Sequence, residues 1–272
     1  MVKTYAVIGD PINHSLSPTI HNAVFRDKDM DCTYIAYRIP RDELVEGINS
    51  LKKINISGFN VTIPHKIQMV KYLDVMDENC TITGACNTVL NKDGTLKGYN
   101  TDVAGFMEPI YRRNISVKGM SILLLGAGGA ARAVVVGLKK ESVGKICIAN
   151  RTEQRAKELA DFASKFGVET EIRTLNNVSG IGFDMIINST SLGLADEVIP
   201  ISNDTIQSSS IIYDLVYKPI NTDFIKKAKE SKAKIIYGYE MLLGQATRAF
   251  EIWHGIKAPY DIMKRSILGV QP

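Results

Sequence analysis

Apolar and polar positions divide the chain into short strand-like runs separated by longer segments of helical periodicity. In the first part of the chain, the runs predict strands at Tyr5–Ile8, Thr33–Ile39, Phe59–Ile63, Thr88–Leu90 and Leu96–Tyr99. The last two runs flank Asn-Lys-Asp-Gly, a sequence typical of a hairpin turn. This alternation of strands and helices indicates an α/β fold.

From Ser121 onward the alternation is regular enough to predict a doubly wound sheet. Strands are predicted at 121–125, 145–149, 168–173, 184–189, 211–216 and 234–237. Six strands separated by helices are typical of a Rossmann nucleotide-binding domain. We therefore predict one domain of residues 1–101 plus 239–272 and another of residues 102–238, linked by helices near 102–113 and 239–254. An inter-domain ligand cleft is the default expectation for two such domains.

Composition and charge exclude several functional classes. The chain has 272 residues, 45% hydrophobic and 23% charged, which is the make-up of a globular protein with length for two cores. The net charge of +4 is mild and there is no basic tail, so nucleic acid is not an expected partner. No apolar stretch is long enough to span a membrane, and the N-terminal residues have the pattern of a strand rather than of a signal peptide.

Cysteine and histidine usage predicts no metal site. The four cysteines are Cys32, Cys80, Cys86 and Cys147. They form no CxxC pair, so we expect reduced, mostly buried thiols in a cytoplasmic protein. The four histidines lack metal-ligand spacing, and we interpret His14 and His21 as structural.

The strand predicted at 121–125 continues directly into a glycine-rich loop and a helix. The loop residues are Gly126, Ala127, Gly128, Gly129 and Ala130. Gly126 permits a tight turn, Gly128 lets the backbone approach a pyrophosphate, and Ala130 or Ala131 allows close helix–strand packing. Because a helix N-terminus favours an anion, this stretch predicts a dinucleotide site.

The end of the next strand indicates which dinucleotide binds. An NAD site usually has Asp or Glu there, whereas this strand ends in Asn150, Arg151 and Thr152, with Arg155 one turn later. Guanidinium groups bind phosphate bidentately and suit a 2′-phosphate, so we predict NADP. The simpler alternative is that Thr152 caps a helix and both arginines are solvated.

Residues 58–66, GFNVTIPHK, carry candidate substrate chemistry. In a strand, Asn60 and Thr62 point to the same face. Pro64 suits the first position of a helix, which would place Lys66 in the first helical turn. A cation there opposes the helix dipole and costs stability, so function explains its position better than folding does. The alternative is a solvated surface lysine.

The motifs GACNT and GYNTD flank the predicted hairpin. Asn87 and Asp102 are therefore expected to approach each other. Asp102 also suits the N-cap of the helix that follows, and the two roles can coexist.

Two further segments contain polar candidates with simpler explanations. Ser15 and Ser17 lie in the turn-rich loop after the first strand. From composition alone, we interpret them as loop and cap residues. Gln245 shares an apolar stripe on the C-terminal helix. If buried, it must bind a ligand hydroxyl or a backbone carbonyl.

Together and in this order, these motifs resemble those of the shikimate dehydrogenase family. The blocks GDPINHSLSPTIHN, NVTIPHK, GACNT and GYNTD are similar to family signatures. So are GAGGAARA, NRTEQR, NSTSLG, DLVYKP and GYEMLLGQATRAFEIW. The resemblance covers nearly the whole chain and implies a substrate-binding domain at 1–101 plus 239–272 and an NADP-binding Rossmann domain at 102–238.

The resemblance also implies a role for each candidate residue. Lys66 and Asp102 would form the catalytic pair. The residues expected to bind substrate are Ser15 and Ser17 at its carboxylate with Tyr217 nearby, and Asn60, Thr62, Asn87, Thr101 and Gln245 at its ring hydroxyls. The residues expected to bind NADP are Gly126, Ala127, Gly128, Gly129, Ala130, Asn150, Arg151, Thr152 and Arg155, with Leu215, Gly238 and Met241 on the nicotinamide side and Glu78 as a further contact.

The implied reaction is the reversible NADP-dependent interconversion of shikimate and 3-dehydroshikimate in aromatic amino acid biosynthesis. Lys66 is expected to relay the hydroxyl proton or to stabilise the developing alkoxide, with Asp102 orienting both groups. Which of the two is the formal acid–base group stays open at this point. A homodimer is a candidate assembly.

Three alternatives stay open. A quinate/shikimate dehydrogenase of broader cofactor and substrate use is disfavoured by the missing carboxylate after the second Rossmann strand. A different Rossmann reductase would leave the SxS, NVTxPxK and NTD motifs unexplained. A non-catalytic NADP-binding regulator on this scaffold is disfavoured by the presence of both Lys66 and Asp102.

Overall fold

The computed structural model describes residues 2–178, 180–193, 199, 201, 203–207 and 210–269. The chain forms two compact units, which divide after Gly105 and again after Leu242. Both divisions lie within helices, α4 (Asp102–Arg112) and α8 (Gly238–His254). These two helices confirm the ones predicted near 102–113 and 239–254. The first unit contains the N-terminal segment and the chain from Leu243 onward, and the second contains Phe106 to Leu242.

The first unit is built on a six-stranded mixed sheet. Its strands are β1 (Lys3–Gly9), β2 (Cys32–Arg38), β3 (Gly58–Val61), β4 (Val75–Met76), β5 (Thr88–Lys92) and β6 (Thr95–Tyr99). They lie in the order β2-β1-β3-β5-β6-β4, with β1 parallel to β2 and β3, and β5 antiparallel to β3 and β6. Five of these strands confirm the predicted ones. The fourth was not predicted, because two exposed residues are too few to produce an alternating pattern.

The hairpin between β5 and β6 confirms the turn predicted from Asn-Lys-Asp-Gly. Asp93 and Gly94 both have positive φ, 53° and 86°, which is the backbone of the tight turn that Asp-Gly favours. The Asn91 side chain accepts a hydrogen bond from the Gly94 N–H at 3.0 Å. Asn87, Asn100 and Asp102 are therefore brought to the same end of the hairpin.

The helices of the first unit are α1 (Ser17–Asp27), α2 (Leu44–Lys53), α3 (Glu78–Thr83) and α9 (Tyr260–Leu268), with parts of α4 and α8. Buried Ile8, Phe59 and Val89 belong to the core beneath the sheet. The Trp253 indole of α8 donates to the Val89 carbonyl at 2.9 Å. A Cβ at Gly58 would come within 2.5 Å of that indole, so only glycine permits the approach. This contact fixes α8 against the centre of the sheet.

The second unit is an all-parallel, doubly wound sheet. Its strands are β7 (Ser121–Leu125), β8 (Lys145–Ala149), β9 (Glu169–Arg173), β10 (Met185–Asn188), β11 (Ile211–Asp214) and β12 (Lys234–Ile236). Its order β12-β11-β10-β7-β8-β9 is that of a Rossmann fold. The helices α5 (Gly129–Lys140), α6 (Glu153–Ser164) and α7 (Asp223–Glu230) connect the strands. The six predicted strands are confirmed. The central strands β7, β8, β10 and β11 are almost wholly buried apolar runs, whereas the edge strands β9 and β12 are more exposed.

One local prediction is wrong. No helix begins at Pro64: residues 63–67 form turns, and a 3₁₀ segment begins only at Gln68. The turn is closed by the His65 N–H, which donates to the Thr62 carbonyl at 3.0 Å. Lys66 therefore does not stand at a helix N-terminus, and the argument that its charge opposes a helix dipole does not apply.

Candidate active site

An ion pair between Lys66 and Asp102 lies at the centre of the polar cluster in the first unit. The Lys66 Nζ is 2.6 Å from Asp102 Oδ2, and the two side chains are 21% and 8% exposed. The other carboxylate oxygen, Oδ1, accepts from the Asn87 Nδ2 at 2.8 Å. The predicted approach of Asn87 and Asp102 is confirmed, and the alternative of a solvated surface lysine at position 66 is wrong. Both oxygens of Asp102 thus have donors.

Backbone contacts determine which way the Asn87 amide faces. Its Oδ1 accepts from the Thr101 backbone N–H at 2.7 Å, a donor that has no alternative orientation. The Nδ2 must therefore face Asp102, and it also lies 3.0 Å from the Thr101 hydroxyl. Asn87 immediately precedes β5 and Thr101 immediately precedes α4, so the hairpin and the helix together orient the carboxylate.

Asn100 supports the start of α4 and was not predicted. Its Oδ1 accepts from the Asp102 N–H at 3.1 Å, while its Nδ2 donates to the Ala85 carbonyl and the Thr83 hydroxyl, both at 2.9 Å. The Asp102 carboxylate, which was considered as an N-cap, is occupied by Lys66 and Asn87 instead. An asparagine two residues before a helix was the available signal, since such residues bond to nearby backbone N–H groups.

Two residues expected to bind substrate hydroxyls have their polar atoms engaged within the protein. Asn60 is 5% exposed, and its Nδ2 donates to the Thr88 hydroxyl at 2.9 Å and the Asn87 carbonyl at 3.1 Å. Its Oδ1 accepts from the Tyr34 hydroxyl at 2.6 Å. Thr101 is 2% exposed, and its hydroxyl lies 3.1 Å from that of Thr88. These side chains form a buried layer behind the Lys66–Asp102 pair.

The remaining candidates of the first unit lie at or near element ends, apart from Gln245, which lies within α8. Ser17 is the first residue of α1 rather than its cap, and its N–H donates to the Ser15 hydroxyl at 3.3 Å. Thr62 follows β3 and is half-buried, and Gln245 is buried on α8. Glu78 is the exposed first residue of α3.

In the second unit, the glycine-rich loop joins β7 to α5. Gly126 has φ of 99°, and a Cβ there would lie 2.8 Å from the Ser189 hydroxyl, so both backbone and space require glycine. Gly128 has an ordinary φ of −93° and precedes α5 with no side-chain cap. A Cβ at Gly128 or Gly129 would meet nothing within 4 Å. The helix N-terminus thus presents free N–H groups to open space, which suits a pyrophosphate.

A cleft of about 870 Å³ lies at the carboxyl ends of β8 and β9. Among its lining residues are Asn150, Arg151, Glu153, Lys157, Glu171 and Arg173. The acidic groups are neutralised: Glu153 lies 2.7 Å from Lys157, and Glu171 is paired with Lys145 and Arg173 at 2.8 and 2.5 Å. A hydrogen bond from Lys157 lowers the pKa of Glu153, and one from Lys145 lowers that of Glu171.

The positively charged side chains of the cleft only partly match those predicted to bind the 2′-phosphate. Within the part of the chain that the structure describes, Arg151 has no carboxylate partner. The Asn150 Nδ2 donates to the Thr152 carbonyl at 2.8 Å and shapes the turn into α6. Arg155 is exposed but does not line the cleft, since two residues along a helix from Glu153 it projects to a different face. Arg173 lines the cleft and was missed, because its strand has no motif.

The candidates for the nicotinamide side follow β11 or begin α8. Leu215 is half-buried and Met241 is buried. A Cβ at Gly238 would collide with the backbone carbonyls of Leu215 and Val216, so glycine lets the start of α8 lie against this segment. Tyr217 is half-buried, and burial raises its pKa.

The residues that the structure describes contain no group of three or more His, Cys, Asp or Glu side chains able to hold a metal ion. Likewise, none of the helices in the described part of the chain has the length and apolar character needed to cross a membrane. All four cysteines are free.

Comparison with known proteins gives a consistent result. Family models match residues 7–89 (shikimate dehydrogenase substrate binding domain), 110–207 (shikimate / quinate 5-dehydrogenase) and 238–268 (shikimate 5′-dehydrogenase C-terminal domain). A shikimate dehydrogenase (NADP⁺) of Nitrosopumilus maritimus is 59% identical over 99% of both chains.

Solved structures agree. A shikimate dehydrogenase in complex with NADP⁺ has a TM-score of 0.92 and 38% identity, covering 98% of this chain and 95% of its own. Another, from Thermus thermophilus with NADP(H) and shikimate, has a TM-score of 0.87 and 32% identity, covering 97% and 98%. On this evidence, the chain belongs to the shikimate dehydrogenase family.

Proposed function

We propose that this protein is an NADP-dependent shikimate dehydrogenase, which interconverts shikimate and 3-dehydroshikimate in aromatic amino acid (chorismate) biosynthesis. The observation that carries the proposal is the Lys66–Asp102 pair, 2.6 Å apart, with Asn87 on the second carboxylate oxygen. Membership of the family and 59% identity to a relative with that name support the substrate and the cofactor.

Lys66 is the acid–base group of the pair, and Asp102 orients it. Both oxygens of Asp102 already accept hydrogen bonds, whereas the Lys66 ammonium has three hydrogens and donates one to Asp102. A further hydrogen is available to a substrate oxygen. In ketone reduction Lys66 donates a proton to the carbonyl oxygen, and in the reverse direction it takes the hydroxyl proton.

Substrate recognition involves both ends of a polyhydroxy acid. Ser15 and Ser17 bind the carboxylate, and Tyr217 is a further proposed substrate contact. Thr62 and Gln245 contact ring hydroxyls. We assign Asn60, Asn87 and Thr101 to positioning instead of to direct contact, because their polar atoms are engaged internally.

The residues of the second unit fit NADP. The pyrophosphate would lie on Gly126–Ala130 at the start of α5, where a Cβ at Gly128 would occupy open space. Asn150–Thr152 would hold the 2′-phosphate, and Arg151 has no carboxylate competitor among the described residues. Arg155 does not line this cleft and is not assigned a contact with the phosphate. Leu215, Gly238 and Met241 are proposed beside the nicotinamide, with Glu78 as a further contact. When bound, the cofactor would supply hydride-transfer chemistry at the substrate carbon that carries the reacting hydroxyl.

We further propose a cytoplasmic location, since four free thiols suit a reducing compartment. Nucleic acid is not a proposed partner, because the net charge is only +4. A homodimer remains a prediction, which sedimentation of the purified chain tests.

Absorbance at the reduced-nicotinamide band tests the proposed activity. Purified protein is mixed with shikimate or quinate, and with NADP⁺ or NAD⁺. We expect fast reduction of NADP⁺ with shikimate and at least about tenfold lower kcat/KM with NAD⁺, since one charge-assisted contact to the 2′-phosphate is worth roughly that factor. Equal use of NAD⁺ or quinate would assign the broader subfamily, and no reduction with any pair would contradict the proposal.

A further inference from the structure

Tyr34 lies in β2, and its hydroxyl reaches the buried polar layer behind the catalytic pair. The side chain is 2% exposed, and its ring stacks on His21 with centroids 4.6 Å apart and planes 6° from parallel. Burial lowers the pKa of His21 to about 3, so the imidazole ring that stacks on Tyr34 is uncharged at neutral pH. The Tyr34 hydroxyl donates to Asn60 Oδ1 at 2.6 Å.

The direction of this hydrogen bond is determined by the neighbours of Asn60. Its Nδ2 donates to the Asn87 carbonyl and to the Thr88 hydroxyl, so Oδ1 must accept and Tyr34 must donate. Thr88 lies in turn within 3.3 Å of Asn87 Oδ1. A continuous chain of buried hydrogen bonds therefore runs from Tyr34 through Asn60, Thr88 and Asn87 to the Asp102 carboxylate.

Burial raises the pKa of Tyr34 well above its usual value, and a side-chain hydrogen bond with Ser17 opposes that rise. The phenol therefore keeps its proton, as the bond to Asn60 requires. Tyr34 thus donates to the network that orients Asp102.

We propose that Tyr34 is a positioning residue that acts through Asn60 and Asn87 on the Lys66–Asp102 pair. The inference rests on the proposed function, because it assigns Tyr34 a part in the same reaction. Loss of the hydroxyl leaves the buried Asn60 Oδ1 without a hydrogen-bond donor. The Asn60 amide group then rotates or binds a water molecule. Asn87 and Asp102 then lose a defined orientation, while the fold retains its core.

The first test compares two single-hydroxyl deletions. Tyr34→Phe keeps the ring stack on His21 and removes only the donor. The matched control is Tyr5→Phe, because Tyr5 is equally buried and lies opposite Tyr34 in the same sheet, while its hydroxyl makes no hydrogen bond to the polar layer among the described residues. We expect Tyr34→Phe to lower kcat about 5- to 30-fold with less than about threefold change in the KM for NADP⁺. Tyr5→Phe should stay within about twofold of wild type.

A double-mutant cycle separates positioning from a general structural effect. In an Asp102→Asn background, Tyr34→Phe should lower kcat by less than about twofold, because its target has already been removed. Equal kcat for the two tyrosine variants, or a full additional loss in that background, would overturn the proposal. If Tyr34→Phe does not fold, Thr88→Val breaks the same chain with little change in shape, and wild-type kcat in that variant would overturn it. Turnover by the wild type alone decides the proposed function, so the two failures are distinguishable.

Discussion

Replacement of Lys66 by methionine removes the proposed acid–base group and keeps most of its volume. The Nζ lies 2.6 Å from Asp102, and no other lysine of the described chain forms an ion pair with that carboxylate. General acid–base catalysis by a positioned group contributes about 10²- to 10⁴-fold, or roughly 2.7–5.5 kcal/mol of transition-state stabilisation. We expect kcat to fall by that factor, with a smaller change in the KM for shikimate, because the proton transfer occurs only in the transition state.

The same substitution also has a structural cost. The Asp102 carboxylate is 8% exposed and would keep only Asn87 as a side-chain donor. An uncompensated, mostly buried charge should lower the free energy of unfolding by about 1–3 kcal/mol. Thermal denaturation in the absence of ligands measures this loss separately from activity.

Initial rates at saturating shikimate and NADP⁺ provide the assay. Lys71→Met is the control, because Lys71 is exposed in the 3₁₀ segment that follows Lys66 and undergoes the same chemical change. We expect wild-type kcat for this control. A Lys66→Met enzyme that stays folded and retains kcat within about tenfold of wild type would refute the assigned role.

Three other predictions concern the cofactor loop and the histidine stack. Arg151→Gln should raise the KM for NADP⁺ about 10- to 100-fold and leave that for NAD⁺ nearly unchanged, and equal effects on both cofactors would exclude a 2′-phosphate contact. Gly128→Ala should keep the melting temperature of the free protein, because its Cβ meets only open space. It should weaken NADP⁺ binding in calorimetry, because the Cβ would lie where the pyrophosphate is proposed to bind. Gly126→Ala should lower the melting temperature as well. His21 has a pKa of about 3 in the folded protein against an ordinary 6.5, so as pH falls below 6.5 only the unfolded chain gains this proton and stability is lost. Between about pH 7.5 and about pH 5 this loss should be about 2 kcal/mol, and denaturant titrations of His21→Phe should lack that part of the pH dependence.

The sequence was most informative where local pattern and fold agree. The central strands of the Rossmann unit, β7, β8, β10 and β11, are buried apolar runs, and the Asp-Gly turn at 93–94 has the positive φ values that its residue types favour. Asn87 and Asp102 were expected together because a hairpin returns the chain to its starting point. These inferences need only short-range information.

Other features depend on contacts between distant segments. Tyr34 and Asn60 are 26 residues apart, and nothing in the pattern of β2 distinguishes a tyrosine that donates to the active-site network from one that only fills the core. The helix predicted at Pro64 was wrong because proline is compatible with a tight turn as well as with a first helical turn. Arg173 was missed because strand pairing, rather than a motif, brings it beside Arg151.

The most direct test of the central claim follows ketone reduction. Purified protein is incubated with NADPH and 3-dehydroshikimate at neutral pH, and the decrease in NADPH absorbance is compared with the shikimate formed, identified by chromatography and mass spectrometry. We expect each NADPH consumed to yield one shikimate, and the rate with Lys66→Met to be about 10²- to 10⁴-fold lower. Folded wild-type protein that consumes no NADPH, or consumes it without forming shikimate, would contradict the account.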